Sequence, residues 1–305
     1  MVQPSEDLTR RASPLSPDYK QEIIEYYSEA GMDYEPWSRR FNMHFGYYRW
    51  GLNPFNREQM LDEMNRQIID RLDLDLAREN QLIDLGCGVG TSARYAITHF
   101  PNTRVIAATL VPWQIDLGRQ LSADPVYQDR LQFELMDYCD LALEPETVDG
   151  AYAIESACYD VGKAKLAFLT EALRVLKPGA RLVVADGFTK GKTHTRLFTY
   201  LYRKVCAGWA LQDFAGLDEF VAAMDELGFE DIQVQEASWR VALSVSYVPW
   251  VSLKYFFKSI FFRKDDARIQ MGHFIAPMYG LLMGLHRRQY GYHIVTARKP
   301  KPPSR

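Results

Sequence analysis

The chain has 305 residues, of which 47% are hydrophobic and 25% charged. This composition supports one large core and argues against a disordered or fibrous protein. The formal net charge of −3 gives no electrostatic case for nucleic-acid binding, which normally requires a basic face or stripe. The four cysteines form no CxxC pair, and no histidines lie at metal-ligand spacing, so neither a disulfide framework nor a metal site is predicted. We therefore expect a reduced, cytoplasmic protein.

The N-terminal part of the chain predicts a leader followed by a helical cap. Residues 1–17 are polar and lack the apolar core of a secretory signal, which is typical of a flexible leader. Residues 18–75 are rich in aromatic side chains and have helical periodicity. The clearest example is "REQMLDEMNRQIIDRLDL", which places Met60, Met64 and Ile68 on one face of a helix.

Between residues 76 and 238 the pattern changes to alternating strands and helices, beginning with "QLIDLGCGVGTSARYAITHF". Nearly continuous apolar strands alternating with helices predict an α/β domain with a parallel sheet covered on both faces. An additional helix at about 194–212 is interpreted as a lid. Residues 239–290 form a long aromatic insertion where a short hairpin loop is the default, which favours a substrate-binding role. Residues 291–305 contain the last strand and a basic tail.

A glycine-rich turn follows the first strand of this region. "LIDLGCGVGTSA" places Asp84, Gly86 and Gly88 where glycines let the backbone approach a ligand and a helix N-terminus offers unpaired N–H groups. The carboxyl edge of an open α/β sheet is the usual ligand crevice. The spacing differs from the dinucleotide pattern GxGxxG, and Thr109 stands where an NAD enzyme has an acidic residue. The alternative is a tight turn that binds nothing.

Five segments, in order, resemble the class I S-adenosylmethionine-dependent methyltransferases. They span about residues 80 to 190 and are "LIDLGCGVGTSA", "AATLVPWQ", "FELMDY", "VDGAYAIES" and "ALRVLKPGARLVVAD". "AATLVPWQ" is similar to the "GITLSPxQ" form of sterol, tocopherol and cyclopropane-forming methyltransferases, although Ala108 and Val111 replace the usual glycine and serine. The resemblance implies a Rossmann-like seven-stranded sheet, mostly parallel with an antiparallel last strand. It also implies S-adenosylmethionine as cofactor and S-adenosylhomocysteine as product.

The resemblance also implies which residues contact the cofactor. Asp84 and the first two glycines would face its methionine part, and Asp137 would meet the adenine edge. Tyr26 is added because a cationic sulfonium attracts aromatic faces, although the cap aromatics could equally form the core of a helical cap. The predicted cofactor-binding residues are Asp84, Gly86, Gly88, Thr109, Leu110, Gln114, Asp137, Tyr138 and Tyr26.

The segment "YAIESACYD" is similar to "YAIEATCHAP" of sterol C-methyltransferases, with Tyr159 where those enzymes have histidine. In that chemistry an alkene carbon attacks the methyl group, a carboxylate stabilises the resulting carbocation, and a base removes a proton. The resemblance therefore implies Glu155 as the catalytic carboxylate, with His44 and Tyr47 as further candidates for proton transfer. Glu155 could instead hold the methionine ammonium or cap the following helix, and His44 could be a hydrogen-bonded core histidine.

The predicted function is methyl transfer to a lipophilic small molecule, with C-methylation of an isoprenoid or terpenoid as the leading hypothesis. The alternatives are O- or N-methylation of a phenol, quinone or alkaloid, and a non-catalytic cofactor- or lipid-binding module. Magnesium is expected only if the acceptor is a diphosphate. Peripheral membrane contact and a homo-oligomer stay open. Basic residues near the aromatic segments could meet a diphosphate or a lipid headgroup: Arg196, Arg203, Lys204, Arg263, Lys264, Arg287 and Arg288.

Overall fold

The computed structural model describes residues 14–191, 193–251, 253 and 267–302 of the chain, without the side chains of residues 32, 33 and 267–274. Its centre is one sheet with the strand order β3-β2-β1-β4-β5-β8-β7, in which β8 runs antiparallel to both neighbours. The predicted α/β fold with a mostly parallel, seven-stranded sheet is confirmed, and a two-residue strand, β6, additionally pairs with β5. The strands are β1 Asn80–Leu85, β2 Thr103–Thr109, β3 Leu131–Leu135, β4 Val148–Ile154, β5 Leu176–Thr189, β6 Ala215–Gly216, β7 Glu230–Glu236 and β8 Tyr290–Arg298.

Helices cover both faces of the sheet. Every residue of β4 is buried, as expected for a central strand with packed faces. We label nine of the helices α1 Pro17–Ala30, α2 Arg57–Arg71, α3 Thr91–His99, α4 Pro112–Leu121, α5 Leu166–Val175, α6 Arg196–Gly208, α7 Leu217–Glu226, α8 Ser238–Val245 and α9 Ala267–Gly284. One face packs against α1, α5, α6, α7 and α9, and the other packs against α2, α3, α4 and α8. No helix in the described part of the chain combines the length and apolar character needed to span a bilayer.

The cap is less helical than its sequence pattern predicts. Helix α1 begins after Ser16, whose hydroxyl accepts a hydrogen bond from the Tyr19 N–H, and a short 3-10 turn, Gly31–Tyr34, ends this part. Residues 35–56 then run without regular secondary structure before α2 begins. Prolines 36 and 54 disfavour a continuous helix there. Gly46 packs so tightly that a Cβ would lie 2.6 Å from the Cβ of Met60. This irregular stretch brings residues 41–45 to the carboxyl edge of the sheet.

The regions after β5 and after β7 both contribute helices near the same edge. Helix α6, within the predicted lid at 194–212, begins after Thr195, whose side chain accepts from the Phe198 N–H. The insertion predicted at 239–290 contains most of α8 and all of α9. Arg263 and Lys264, which the sequence places among the basic candidates, lie outside the described residues. The domain boundaries drawn from the sequence stay predictions.

Candidate active site

The glycine turn carries no side chains that would fill the space next to it, and this leaves room for a ligand. Gly86 has φ +90°, and a Cβ there would lie 2.4 Å from the Cβ of Ser156. Gly88 has φ +53°, and its Cβ would lie 2.9 Å from the sulfur of Met43. Both the left-handed backbone and the close neighbours require glycine at these positions. The turn therefore forms a backbone cradle at the end of β1.

The cradle opens into a cleft of about 780 Å³, its open mouth included. We call it the cofactor cleft. Within it, the Thr109 hydroxyl donates to Gln114 Oε1 over 2.6 Å, which holds the Gln114 amide with its oxygen toward Thr109. The cleft contains Asp84, Gly86, Gly88, Thr109, Leu110, Gln114 and Tyr138 from the predicted cofactor set, together with Ile23, Tyr27, Met43, His44, Glu155 and Tyr159.

The surroundings of Asp84 indicate whether a cationic cofactor fits this cleft. Its Oδ2 is buried and has no hydrogen-bond partner among the described residues. Burial raises the pKa of Asp84 to about 7, against the opposing effect of the Tyr152 hydroxyl. An unpaired, buried carboxylate oxygen beside a backbone cradle fits a ligand that carries a positively charged group. S-adenosylmethionine has such groups in its ammonium and its sulfonium.

Two predicted cofactor residues do not line the cleft. Asp137 forms an ion pair with Lys20 of α1 over 2.8 Å, and its Oδ1 accepts from the Cys139 N–H over 2.8 Å. The structure thus places Asp137 behind α1, where it ties the cap to the loop after β3. Tyr26 lines a second, larger cavity, and its neighbour Tyr27 lines both. Adjacent positions on a helix point in different directions, so only one of these tyrosines faces the cleft.

The larger cavity, which we call the acceptor cavity, has a volume of about 1230 Å³ with its open mouth. Five residues line both it and the cofactor cleft, and they form the boundary between the two: Tyr27, Met43, His44, Glu155 and Tyr159. The rest of its wall is mainly aromatic and aliphatic, as small-molecule sites usually are. It includes Tyr26, Tyr34, Trp37, Phe45, Cys158, Asp186, Trp209, Leu211, Phe214, Val248, Val251, Pro277, Tyr290 and Tyr292.

Glu155 lies on this boundary, directly after β4, with a left-handed backbone of φ +53°. Its Oε1 accepts from the Phe45 N–H over 2.7 Å and from the Tyr292 hydroxyl over 2.9 Å. No described residue donates a hydrogen bond to Oε2. Burial raises the pKa of Glu155 to about 8, and Asp186 adds to this rise while the two donors oppose it. The side chain is held by groups from the cap and β8. The next two helical segments have Ser156 and Lys165 as N-caps, neither with a side-chain cap bond, so the alternative that Glu155 caps the following helix is wrong.

Asp186 is a second carboxylate at the acceptor cavity that the sequence analysis missed. It lies near the end of β5 and is buried. Its Oδ2 accepts from the Cys158 N–H over 3.0 Å, and its Oδ1 accepts from the Gly187 N–H over 2.7 Å. Burial raises the pKa of Asp186 to about 6. The signal was present in "LVVADGF", where an apolar strand ends on an acid at the same sheet edge as Glu155.

Lys165 is another residue whose role the sequence did not indicate. Its side chain is fully buried, and its Nζ donates to the carbonyl oxygens of Cys158, Asp160 and Asp213 over 2.8, 2.5 and 2.7 Å. Burial lowers the pKa of Lys165. The ammonium therefore joins the turn after Glu155 to the segment between α6 and β6, and both of these segments line the acceptor cavity.

The two further candidates for proton transfer differ in position. His44 lines both cavities, but its Nδ1 lies 2.9 Å from the Phe45 carbonyl oxygen and its Nε2 lies 3.1 Å from Asn65 Oδ1. Burial lowers the pKa of His44. This favours the hydrogen-bonded core histidine over a proton carrier. Tyr47 lines neither cavity, and its hydroxyl accepts from Gln235 Nε2 over 3.2 Å. It packs between α2 and the sheet, away from any acceptor, so its proposed part in proton transfer is not supported.

Comparisons with known proteins agree with this geometry. A family model described as a methyltransferase domain matches residues 82–179. Methyltransferase phqN from Penicillium fellutanum is 29% identical over 183 residues, which cover 58% of this chain and 53% of phqN. A probable chloroplastic tocopherol O-methyltransferase from Oryza sativa subsp. japonica is 23% identical, covering 93% of this chain and 80% of the relative. The crystal structure of geranyl diphosphate C-methyltransferase from Streptomyces coelicolor A3(2) has a TM-score of 0.68 at 16% identity, covering 94% and 99%.

The sheet order and the glycine cradle define a Rossmann-like protein that binds a cofactor at the carboxyl edge of its sheet. Together with the match of residues 82–179 to a methyltransferase domain and the relatives named methyltransferases, they support a class I S-adenosylmethionine-dependent methyltransferase, with S-adenosylmethionine as its cofactor. The chain spans only 53% of the length of phqN. The methyl acceptor and the atom that is methylated are therefore matters for proposal.

Proposed function

We propose that this methyltransferase acts on a lipophilic small molecule in the acceptor cavity and methylates a carbon atom of an isoprenoid-type alkene. One observation carries the proposal. The described lining combines many aromatic faces with two carboxylates, the partly buried Glu155 and the buried Asp186, and contains no lysine or arginine. Aromatic faces and carboxylates stabilise positive charge in a water-poor site. The site therefore suits an acceptor on which positive charge develops during the reaction.

This charge balance favours some acceptors over others. An alkene becomes a carbocation when its π electrons form a bond to a methyl group. A phenol must instead pass through a phenolate, whose negative charge Asp186 would disfavour. A diphosphate would meet the same repulsion from Asp186. We therefore propose an uncharged acceptor.

Glu155 is the proposed base. When bound, S-adenosylmethionine supplies a methyl group on a cationic sulfur. Glu155 Oε2, which carries no hydrogen bond from the described residues, then accepts a proton from a carbon next to the carbocation, and the C–H electrons re-form a double bond. The Phe45 N–H and the Tyr292 hydroxyl hold the carboxylate through Oε1. A pKa of about 8 lies near neutral pH, where a general base is most effective.

O-methylation of a phenol is the second candidate, because the relative from Oryza sativa subsp. japonica is named a tocopherol O-methyltransferase. Glu155 could remove a phenolic proton with the same geometry. N-methylation of an amine also develops positive charge, so the carboxylates do not distinguish it from an alkene. The acceptor chemistry must therefore be decided by the product.

The test uses the full chain and S-adenosylmethionine with a trideuterated methyl group. Three acceptor panels are offered separately: neutral isoprenoid alkenes, prenylated phenols, and lipophilic amines. Mass spectrometry detects transfer, and NMR locates the label. We expect a new C–CD₃ bond on an alkene. Label found in a methoxy or N-methyl group would overturn the carbon proposal, and binding of the cofactor without transfer to any panel would favour the non-catalytic module.

A further inference from the structure

Two segments of the chain contain no acidic residue. Residues 187–212 contain five lysines and arginines, and residues 267–302 contain six, with no Asp or Glu in either segment. The whole chain has a net charge of −3, so these segments stand apart from it. By contrast, helix α1 carries Asp18, Glu22, Glu25 and Glu29 against the single Lys20. Acidic and basic side chains are thus concentrated on different helices on the same face of the sheet.

Helices α6 and α9, one from each acid-free segment, pack side by side. A Cβ at Gly280 of α9 would lie 3.0 Å from the ring of Trp209, directly after α6. The rings of Tyr200 and Tyr279 are 6.1 Å apart. The rings of Phe198 and His286 are 5.8 Å apart. The two segments therefore form one continuous surface.

The outer side of this helix pair is both apolar and basic, and we call it the α6–α9 face. Leu197 and Tyr200 of α6 are 59% and 51% exposed, and Leu285, which follows α9, is 71% exposed. Helix α6 buries its opposite side in the core through Phe198, Leu201, Val205 and Cys206. Its exposed positions are otherwise largely basic, as in an interfacial amphipathic helix. The face consists of Leu197, Tyr200, Leu282 and Leu285 with the exposed basic residues Arg196, Arg203, Lys204 and Arg288.

We propose that the α6–α9 face docks on the surface of an anionic lipid bilayer. Exposed leucine and tyrosine can enter the headgroup region, and clustered lysines and arginines are attracted to anionic headgroups. The charge of the face is complementary to such a surface because neither segment contributes an acid.

The α6–α9 face lies close to the acceptor cavity, which connects docking with the proposed reaction. Trp209 and Pro277 line the acceptor cavity on the inner side of the helices that form the face. A lipophilic acceptor concentrates in a bilayer, so docking would bring the cavity close to its substrate. This purpose rests on the proposed function, whereas docking itself depends only on the exposed residues.

The test is co-sedimentation of the full chain with two kinds of vesicle, phosphatidylcholine alone and phosphatidylcholine mixed with phosphatidylserine. No acceptor or cofactor is added, so the result does not depend on whether the proposed reaction is correct. We expect binding to the mixed vesicles that weakens as salt increases. R203E/K204E should lower this binding at least about tenfold. L197Q/L285Q should lower it without changing its dependence on salt.

The matched control is R39E/R104E, which reverses two exposed basic residues outside both helices. The ion pair between Arg104 and Glu79 is itself exposed, so its loss costs little stability. The control should keep full binding, and circular dichroism checks that all variants are folded. No binding to the mixed vesicles, equal binding to both kinds, or equal loss in the control would each overturn the proposal. Binding of an acidic protein to the face with no binding to vesicles would also overturn it.

Discussion

The cofactor cleft and the acceptor cavity meet at Glu155 but are built in different ways. The cleft is formed largely by the strand ends and turns that follow β1 and β2, so its key residues are close together in the sequence. The acceptor cavity gathers residues from α1, the irregular stretch at 35–45, the segment after α6, the region after α8, α9 and β8. Local sequence thus specifies the first site, and tertiary packing specifies the second.

This difference has a chemical consequence. The backbone cradle can hold the same cofactor in many proteins because it depends on glycine conformation. The acceptor cavity depends on contacts between distant elements, and Glu155 is held by groups 110 and 137 residues away in the sequence. Substitutions in the cleft should therefore change cofactor affinity, and substitutions at the boundary should change turnover.

E155Q should give the largest effect. The amide keeps the size of the side chain but cannot accept a proton, so we expect turnover to fall by about 10³-fold. Affinity for S-adenosylhomocysteine should change little, since the cradle is untouched. Single-turnover kinetics measures the first quantity and isothermal titration calorimetry the second.

E63Q is the matched control, because Glu63 is also largely buried but pairs with Arg66 on α2, away from both cavities. It should keep wild-type turnover. If affinity collapsed in E155Q and the remaining turnover merely followed occupancy, Glu155 would be a cofactor ligand and not a base.

G86A should have the next largest effect and should act on the cofactor side. The added methyl group would lie 2.4 Å from Ser156 Cβ in a backbone of φ +90°, which forces the cradle to move. We expect affinity for S-adenosylhomocysteine to fall roughly 30-fold or more, which corresponds to about 2 kcal/mol. Calorimetry measures this affinity.

G162A separates backbone strain from loss of the cradle. Gly162 has a comparable φ of +72°, but a Cβ there would meet nothing within 4 Å. This variant should lose about 1 kcal/mol of unfolding free energy from the left-handed backbone and keep its cofactor affinity. Equal loss of affinity in both variants would show that strain, rather than close approach, governs binding.

The same contrast explains what could be predicted from the sequence. The order of strands and helices and the glycine turn follow from periodicity and local turn chemistry, and the fold was confirmed. Asp84, Gly86 and Gly88 lie in the predicted cleft because each belongs to the end of β1 or the turn after it. Within the cap, helical periodicity was a poorer guide, since residues 35–56 follow the tertiary contacts of the sheet edge.

Residues that depend on long-range packing could not be placed in this way. Tyr292 reaches Glu155 because β8 pairs antiparallel with β5, and no local pattern contains that register. Asp137 belongs to a segment that resembles the family, and Tyr47 was a candidate for proton transfer, but their side chains contact Lys20 and Gln235 instead. A motif identifies the segment that reaches a site, whereas the direction of each side chain depends on its neighbours.

The pH dependence of cofactor binding tests the electrostatics of the cleft. The pKa of Asp84 is raised to about 7 by burial without a bound cation. A cationic ligand stabilises the carboxylate and lowers this pKa, so binding should release a proton. Affinity should increase with pH up to about 7, by as much as about tenfold per unit at lower pH, and then level off. D84N should bind more weakly and show a flatter profile, whereas a wild-type slope in D84N would assign the proton to another group.

The smallest effect should come from the Tyr292 hydroxyl, which donates to Glu155 and which the sequence did not indicate. In Y292F, Glu155 loses a donor that stabilises its ionised form, so its pKa should rise further above about 8. Because the base must be ionised, the acid limb of the pH–rate profile should move to higher pH, by roughly one unit. Y47F is the control, since its hydroxyl contacts Gln235 and not the boundary, and its profile should match the wild type. A shift of the profile in Y47F with none in Y292F would instead support Tyr47 as the residue that takes part in proton transfer.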